Sequence, residues 1–423
     1  MAPSTTSPSS PTVNSAPSSP IDVKHPHLIL RPATIPERHY SWVINSPSWR
    51  GILTENAYYL REAHLSYQDL TRNGGIMYWV LVDPAGPCKP ACPETPDHIL
   101  SACETIRKPC LIVRSNGEVE DVISYGIGGV YTSERHRGKG YARTMMQLLG
   151  HQLKDLPDPS DPKKAHVRVG FSVLYSDIGK QFYKKVGWQP HQSSHISFPA
   201  KLPSSVSASS ATGKVKKIAK TDLKALCAVD CTHIRRFVAK TPFKAGIKAR
   251  CVQLPTVEVM EWHHAREEFL GQYATTKAPT VKGAWAPLTP TAEYPPREGS
   301  EGLDSAWAIW THDFAEKKLV FLRLHVPPVT SANKDAVSAA LRALVVAAAE
   351  EAQAWGFSEI LSWNPDDLTE EAVKSVVGEE SYDLVHREND SIASLMWYHR
   401  EGGSEEVEPE GIEWLFNEKS GWC

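Results

Sequence analysis

Residues Arg135-His136-Arg137-Gly138-Lys139-Gly140 join a strand-like run over 122–131 to an amphipathic run that begins near Gly138 and carries Tyr141, Met145, Met146, Leu148 and Leu149. A strand that delivers a basic, glycine-bearing turn to a helix N-terminus makes an anion cradle. The unpaired N–H groups of the first turn point outward, and the helix dipole favours negative charge there. Glycine lets the backbone approach a phosphate with no Cβ in between. The turn has neither the G-x-x-x-x-G-K-[ST] nor the G-x-G-x-x-G pattern, so it is not a nucleotide loop of either kind. A second reactive group lies upstream. Glu104 interrupts the apolar run 99–113, where a carboxylate is costly unless it has a task. It is a candidate base, acting directly or through water, or a side chain that simply faces solvent.

The elements that must position these residues follow from pattern. Residues 28–32 predict a strand, 35–44 and 54–70 two helices, 77–82 a second strand, and 83–98 a Pro- and Cys-rich loop. Residues 99–113 predict a long strand, interrupted or ended near Lys108-Pro109, and Asn116-Gly117 a tight turn. The run 167–175 is a buried-strand pattern. After it, Ser176 or Asp177 can cap a helix that places Ile178, Phe182 and Val186 on one face and stops at Gly187. A last strand is expected at 194–198, then a Ser/Ala-rich linker over 201–213. Beyond it the pattern predicts helices at 221–238 and 256–270, and strands at 305–311 and 318–326 joined by Ala315-Glu316-Lys317. An Ala-rich helix over 331–355 with Ser331 as cap and Gly356 as stop, a strand at 359–363, a helix at 369–377 and a strand at 393–398 complete it. The order repeats that of the first half. It fits a second, degenerate copy of the same domain or an unrelated α+β domain.

The spacing Arg135-x-x-Gly138-x-Gly140-Tyr141-Ala142 resembles the pyrophosphate loop of the GNAT superfamily of N-acetyltransferases. The strand at 167–175, the Phe182-Tyr183 helix and the Gly187-Trp188 pair resemble the second half of that fold, in the expected order and separation. SVLYSDIGKQFYKKVGW, ILSACETIRKPCLIV and LREAHLSYQDL further resemble the fungal lysine N6-acetyltransferase family, well over 27–190 and loosely beyond. The resemblance implies an α/β (α+β) GNAT fold, a mixed sheet flanked by helices. Residues 1–26 would be a disordered Ser/Pro-rich tail, 27–200 the coenzyme-binding catalytic domain, and 214–423 a degenerate GNAT-like domain. In that second domain Val329-Thr330-Ser331-Ala332-Asn333-Lys334 lacks the glycines and arginines of the coenzyme loop.

The same resemblance implies acetyl-coenzyme A as cosubstrate, lying between two splayed strands along the backbone of Gly129, Val130, Tyr131 and Thr132. The Val130 N–H would hold the thioester carbonyl. Arg135, Arg137, Gly138, Lys139 and Gly140 would cradle the pyrophosphate, with Tyr141 and Ala142 opening the helix. Ser176 stands where many relatives carry an asparagine that touches the coenzyme arm, and Gly179 follows it. Tyr183 is the candidate general acid for the leaving thiolate, or else a packing tyrosine. The apolar, aromatic chain end raises Cys423 as a carboxylate base or amine anchor, as in acetyltransferases of the mycobacterial enhanced-survival type; otherwise it closes the second domain. Glu55, Glu62 and Asp69 read as solvated or amine-steering. The implied acceptor is the side-chain amine of free L-lysine or a similar small amine. A polyamine, antibiotic or natural-product amine is the alternative acceptor, and a non-catalytic acyl-coenzyme A scaffold the alternative of another class.

A net charge of −3 without a long basic run excludes nucleic acid as the expected partner. No apolar run is long enough to predict a membrane span. The Ser-, Thr- and Pro-rich start has neither an apolar signal core nor arginine, and the cysteines are scattered, so a reducing, cytoplasmic setting is expected. Cys88-x3-Cys92 and Cys227-x3-Cys231-x-His233 each lack a matching second pair, and no metal is expected.

Overall fold

The computed structural model describes residues 24–85, 98–156, 167–204, 215–275, 277–398 and 407–422. The Cys88/Cys92 pair, Cys423, most of the expected tail and most of the linker lie outside the described residues. In chain order the first half contains β1 (Ile29–Pro32), α1 (Ile35–Trp49), α2 (Glu55–Ser66), β2 (Ile76–Val82), β3 (Ile99–Arg114) and β4 (Val119–Tyr131). It continues with α3 (Tyr141–Lys154), β5 (Val169–Ser176), α4 (Gln181–Lys184), β6 (Gln189–Pro190) and β7 (Ser194–Pro199). The second half contains β8 (Lys216–Ile218), α5 (Leu223–Lys240), β9 (Ala249–Gln253), α6 (Val257–Ala274), β10 (Gly283–Pro287), β11 (Ser305–Asp313) and β12 (Lys318–His325). It ends with α7 (Lys334–Ala354), β13 (Glu359–Trp363), α8 (Asp367–Val377), β14 (Asp383–His386), β15 (Ile392–Trp397) and β16 (Ile412–Trp414).

Two mixed sheets organise these elements. The first runs β1-β2-β3-β4-β5-β15-β6, with β9 and β16 added along β3; the second runs β14-β7-β13-β12-β11-β10-β8. The halves therefore exchange strands. β7, expected to finish the first sheet, pairs with β13 and β14 in the second. β15, from the second half, lies antiparallel beside β5 from Ile392↔Ser176 to Trp397↔Phe171.

Each sheet buries one helix deeply. The stripe Met145, Met146, Leu149 and Leu153 of α3 packs on Leu81, Tyr125, Ile127 and Leu174, as its 3–4 spacing requires. In the second sheet Ala340, Ala348 and Ala349 of α7 face Ala284, Ala306 and Ala308.

Several local expectations change, each for an identifiable reason. β3 runs unbroken through Pro109. Its outer edge bonds β2 as far as Ile106 and β9 from Cys110 onward, so the proline, which has no N–H to donate, falls where one partner gives way to the next. α1 outlasts its predicted end and carries Pro47 near its C-terminus; its start is fixed by a capping box between Thr34 and Glu37. The helix expected over 178–186 shrinks to one turn, because Ser176 Oγ donates to Gly179 O at 2.7 Å and accepts from Ile178 N at 3.2 Å. That turn is tied to the segment before β15: Asp177 accepts from Ser391 N at 2.9 Å, and Gly179 N donates to Asn389 O at 3.0 Å. α7 starts at Lys334, not Ser331; Asn333 Oδ1 accepts from Thr330 N at 2.7 Å and holds the preceding chain in a turn.

The C-terminal segment stitches the two sheets together. Glu418 accepts from Leu324 N of β12 at 2.9 Å and from Arg323 at 2.6 Å. Two to four residues on, Lys108 of β3, 1% exposed, donates its ammonium to the carbonyls of Ser420, Gly421 and Trp422 at 3.1, 2.8 and 2.9 Å. Three carbonyls saturate the three protons of the ammonium. Lys108→Met keeps the volume and removes every donor. It is expected to lower the free energy of unfolding by about 3 kcal/mol, the scale of stranding buried acceptors. Equilibrium urea unfolding measures this, and an unchanged midpoint would mean that water replaces the ammonium.

Candidate active site

The site grows from two parallel strands that separate. β4 and β5 pair from Ile123↔Val169 to Ile127↔Leu174 and no further. β4 nevertheless continues to Tyr131 and β5 to Ser176. Where they part, the register between Ala102↔Tyr131 and Glu104↔Gly128 gives β4 one residue more than β3, a β-bulge. Gly129 sits in the bulge with φ 59°, and a Cβ there would stand 3.4 Å from Glu104 Cγ. The left-handed backbone favours glycine there, and an added Cβ would rest in ordinary contact with the Glu104 side chain.

The basic turn leaves the far end of β4. Gly140, at φ 92°, immediately precedes the first residue of α3, so the first-turn N–H groups face outward. Arg137 donates to Thr132 O at 3.2 Å, and its guanidinium lies 5.6 Å from the Tyr131 ring centre. The chain start reaches this turn as well. His25 Nε2 lies 2.8 Å from Lys139 O, and a Cβ on Gly140 would stand 3.0 Å from Lys24 Cδ.

A cavity of about 420 Å³ opens where the strands part. Gly128, Gly129, Val130, Leu174, Asp177 and Tyr183 line it from the first sheet, and Asn45, Tyr58, Arg61 and Glu62 from α1 and α2. Trp262 and Arg266 of α6, with Trp422, bring the second half to the same space. Arg61 donates to Glu62 Oε1 at 2.8 and 2.6 Å, and its guanidinium lies 4.6 Å from the Tyr58 ring centre. Tyr58 donates to Asn45 Oδ1 at 2.8 Å.

Glu104 is half-buried and opens onto this cavity. Burial pushes its carboxyl up to about 8; the Glu62 carboxylate adds to the shift and Arg61 opposes it. The group therefore titrates near the pH at which a base is useful. Burial also raises the Tyr183 phenol well above its ordinary range, which keeps it protonated.

The fold brings Glu104, Gly129, Val130 and Tyr183 to one cavity. Tyr131 and Thr132 lie just beyond, where Ser101 Oγ donates to Tyr131 O at 2.9 Å and bonds Thr132 Oγ1 at 2.9 Å. Tyr141 and Ala142 open α3. Ser176 and Gly179 are not among the lining residues, since the Ser176 hydroxyl is engaged within its own turn. Glu62 is 12% exposed at its side chain and paired, so the amine-steering reading suits it better than the solvated one. Sequence inspection did not single out Arg61, Tyr58, Trp262, Arg266 or Trp422. Trp262 and Arg266 stand four residues apart on one helical face, the one signal that could have linked them. No described group of three or more His, Cys, Asp or Glu is arranged to hold a metal, and no described helix is long and apolar enough to cross a membrane.

Comparison with known proteins fits this geometry. The family model described as the LYC1 GNAT-like C-terminal domain matches residues 195–423, more than half of the chain. The chain belongs to this family. It is an N-acetyltransferase of the GNAT type, and its fold is the expected mixed sheet flanked by helices with a second sheet behind it. A lysine acetyltransferase of Yarrowia lipolytica is 24% identical over 367 residues, covering 77% of the chain and 84% of that protein. An uncharacterised protein of Saccharomyces cerevisiae is 24% identical over 360 residues, covering 80% and 84%. Among solved structures, a GCN5-related N-acetyltransferase from Kribbella flavida aligns with a TM-score of 0.47 and 12% identity, over 88% of the chain and 72% of that structure.

The raised Glu104 has a consequence for stability. In the unfolded chain this carboxyl ionises in the ordinary range, whereas in the folded protein it holds its proton up to about pH 8. Between those values the folded state binds more protons, so stability falls as pH rises through the window. Glu104→Gln removes that penalty. Scanning calorimetry should find its Tm raised by about 3 °C at pH 8.5 and unchanged at pH 4, where both states are protonated. A Tm that is lower at both pH values would show that the carboxyl is stabilised rather than stressed.

Proposed function

We propose that the chain transfers the acetyl group of acetyl-coenzyme A to the side-chain amine of free L-lysine or a close analogue. The observation that carries this is the meeting, at the end of the β4–β5 gap, of a carboxyl titrating near 8, a protonated buried phenol and an unpaired stretch of β4 backbone. The similarity to the lysine acetyltransferase of Yarrowia lipolytica supports the choice of acceptor.

The coenzyme pyrophosphate rests on the turn Arg135–Gly140 and the first N–H groups of α3. The pantetheine arm fills the gap between β4 and β5, and the Val130 N–H donates to the thioester carbonyl. The acceptor enters as an ammonium drawn by the Glu62 carboxylate, and its positive charge favours the ionised form of Glu104, which is the form that acts as base. Glu104 takes one proton, directly or through water, and the neutral amine attacks the carbonyl carbon. Charge gathers on the oxygen held by the Val130 N–H, an interaction that strengthens in the transition state. The C–S bond then breaks, the Tyr183 phenol protonates the departing thiolate, the second proton of the former ammonium returns to Tyr183, and the amide leaves with free coenzyme A while Glu104 releases its proton. One proton is released to solvent. The first sheet carries coenzyme and chemistry, and the second half supplies a wall of the acceptor space. Glu104, which opens onto the cavity beside the bulge, takes the part of the base in this reading.

The test is a panel of amines with acetyl-coenzyme A, read by release of free thiol and by mass spectrometry of the product. Acetylation of lysine at its side-chain nitrogen is expected. Acetyl on the α-nitrogen, or a clear preference for a polyamine, refutes the acceptor.

Two substitutions separate binding from chemistry. Gly140→Glu forces a side chain onto a left-handed backbone and sets a carboxylate against the pyrophosphate. Titration calorimetry should find coenzyme A affinity reduced by at least about a hundredfold in a folded protein; near-normal affinity would remove the cradle from the mechanism. Tyr183→Phe is expected to lower kcat about a hundredfold, the usual cost of losing a general acid, with coenzyme affinity unchanged. Unaltered kcat would make Tyr183 a packing residue.

A further inference from the structure

Arg266 is a cation of the cavity that no described carboxylate contacts directly; Asp313 and Glu62 act on it only through their charge. It projects from α6 among the lining residues, and among the described residues no carboxylate or carbonyl takes a hydrogen bond from it. Its guanidinium lies 5.3 Å from the centre of the Trp422 ring. Burial and the neighbouring Arg61 push its pKa below the ordinary arginine range. Three other enclosed arginines have carboxylate partners: Arg323 bonds Asp230 and Glu418, Arg250 bonds Glu413 and two carbonyls, and Arg61 bonds Glu62. Arg387, like Arg266, has none among the described residues, but it lies outside this cavity. An enclosed guanidinium without a directly bonded anion costs free energy, and the cost is relieved when a ligand brings one.

The charges of the cavity therefore divide into two. Glu62 and Asp177 attract an ammonium, while Arg266, whose donors meet no described acceptor, suits a carboxylate. A diamine would satisfy the carboxylates but would leave Arg266 unpaired and facing a second cation. We propose that Arg266 binds the α-carboxylate of the acceptor, so that the enzyme selects amino acids with a side-chain amine and rejects polyamines. This rests on the acetyl-transfer reading above and deepens it. It also gives the second half a chemical task, since the residue that sets the acceptor class comes from α6 while the reacting carbonyl is held by β4.

The experiment compares amines that differ only in the carboxylate, L-lysine with 1,5-diaminopentane and L-ornithine with 1,4-diaminobutane, for the wild type, Arg266→Gln and Arg266→Lys. Wild-type kcat/KM should favour the amino acid of the better pair by about a hundredfold, the scale for one enclosed charge pair. In Arg266→Gln that ratio should collapse to within about threefold of unity, mainly through KM for the amino acid, and Arg266→Lys should restore part of it. An unchanged ratio in Arg266→Gln overturns the proposal. So does an equal loss for both members of a pair, which would mark a structural role. Preference of the wild type for the diamines overturns both this proposal and the lysine reading. Turnover of ornithine without lysine overturns only the choice of lysine, and the ornithine pair then decides for Arg266. If no amine is turned over, calorimetric titration of L-lysine into the protein with coenzyme A decides. Binding that Arg266→Gln abolishes supports the anchor while the transfer reading falls, and no binding to the wild type overturns both.

Discussion

The gap between β4 and β5 is the constraint on which the site depends. Two parallel strands that begin as partners would ordinarily pair to their ends, because buried backbone groups need partners. Here each is claimed by its other neighbour. β4 stays bonded to β3 as far as Tyr131, through the bulge at Gly129, and β5 stays bonded to β15 through Ser176. The exposed edge of β4 is thus a fixed row of backbone donors and acceptors awaiting an extended ligand. That the strand holding β5 away comes from the second half makes the site a property of the whole chain.

The second sheet repeats the device and blocks it. β12 and β13 pair in parallel from Lys318↔Glu359 to Val320↔Leu361 and then part, although β12 continues to His325 and β13 to Trp363. The chain itself enters this gap: Glu418 accepts the Leu324 N–H, and Asn364 donates to Asn417 O at 2.5 Å. A carboxylate of the protein thus holds a backbone donor of the parted strand, where the first gap leaves such donors for a ligand. The loop after β12 carries Pro327 and Pro328 and no glycine before α7. The same C-terminal segment then crosses to Lys108 and sets Trp422 against the open cavity.

What was legible in the sequence was local. The strand into Arg135–Gly140 and the helix after it declare themselves through periodicity and a glycine pair within about twenty residues, and Glu104 through its cost in an apolar run. The exchange of β7 and β15 leaves no such trace. Both read correctly as strands, but which edge a strand joins is settled by partners some two hundred residues away. The same holds for β9, whose insertion beside β3 explains why Pro109 does not end that strand. Ser176 was legible as a cap but not in its actual service, because one hydroxyl can close a turn or start a helix and tertiary ties decided for the turn. Arg266 was invisible because an arginine on a helix is usually solvated, and only the packing of α6 against α2 encloses it.

The two sides of the cavity use different chemistry, and this bears on how specificity can vary. The side assigned to the coenzyme is mostly backbone: the β4 edge, the bulge and the first turn of α3. Its demands fall on glycines and on strand register. The acceptor side is made of side chains from α2, α6 and the C-terminal segment, namely Glu62, Trp262, Arg266 and Trp422. Exchanging one of these alters which amine fits without disturbing the β4–β5 gap. Glu104 belongs to both sides, since it packs on the bulge glycine and opens onto the acceptor space. The burial that raises its carboxyl to about 8 therefore comes from a position shared by both sides, and under the proposed reaction neither side can change without affecting it.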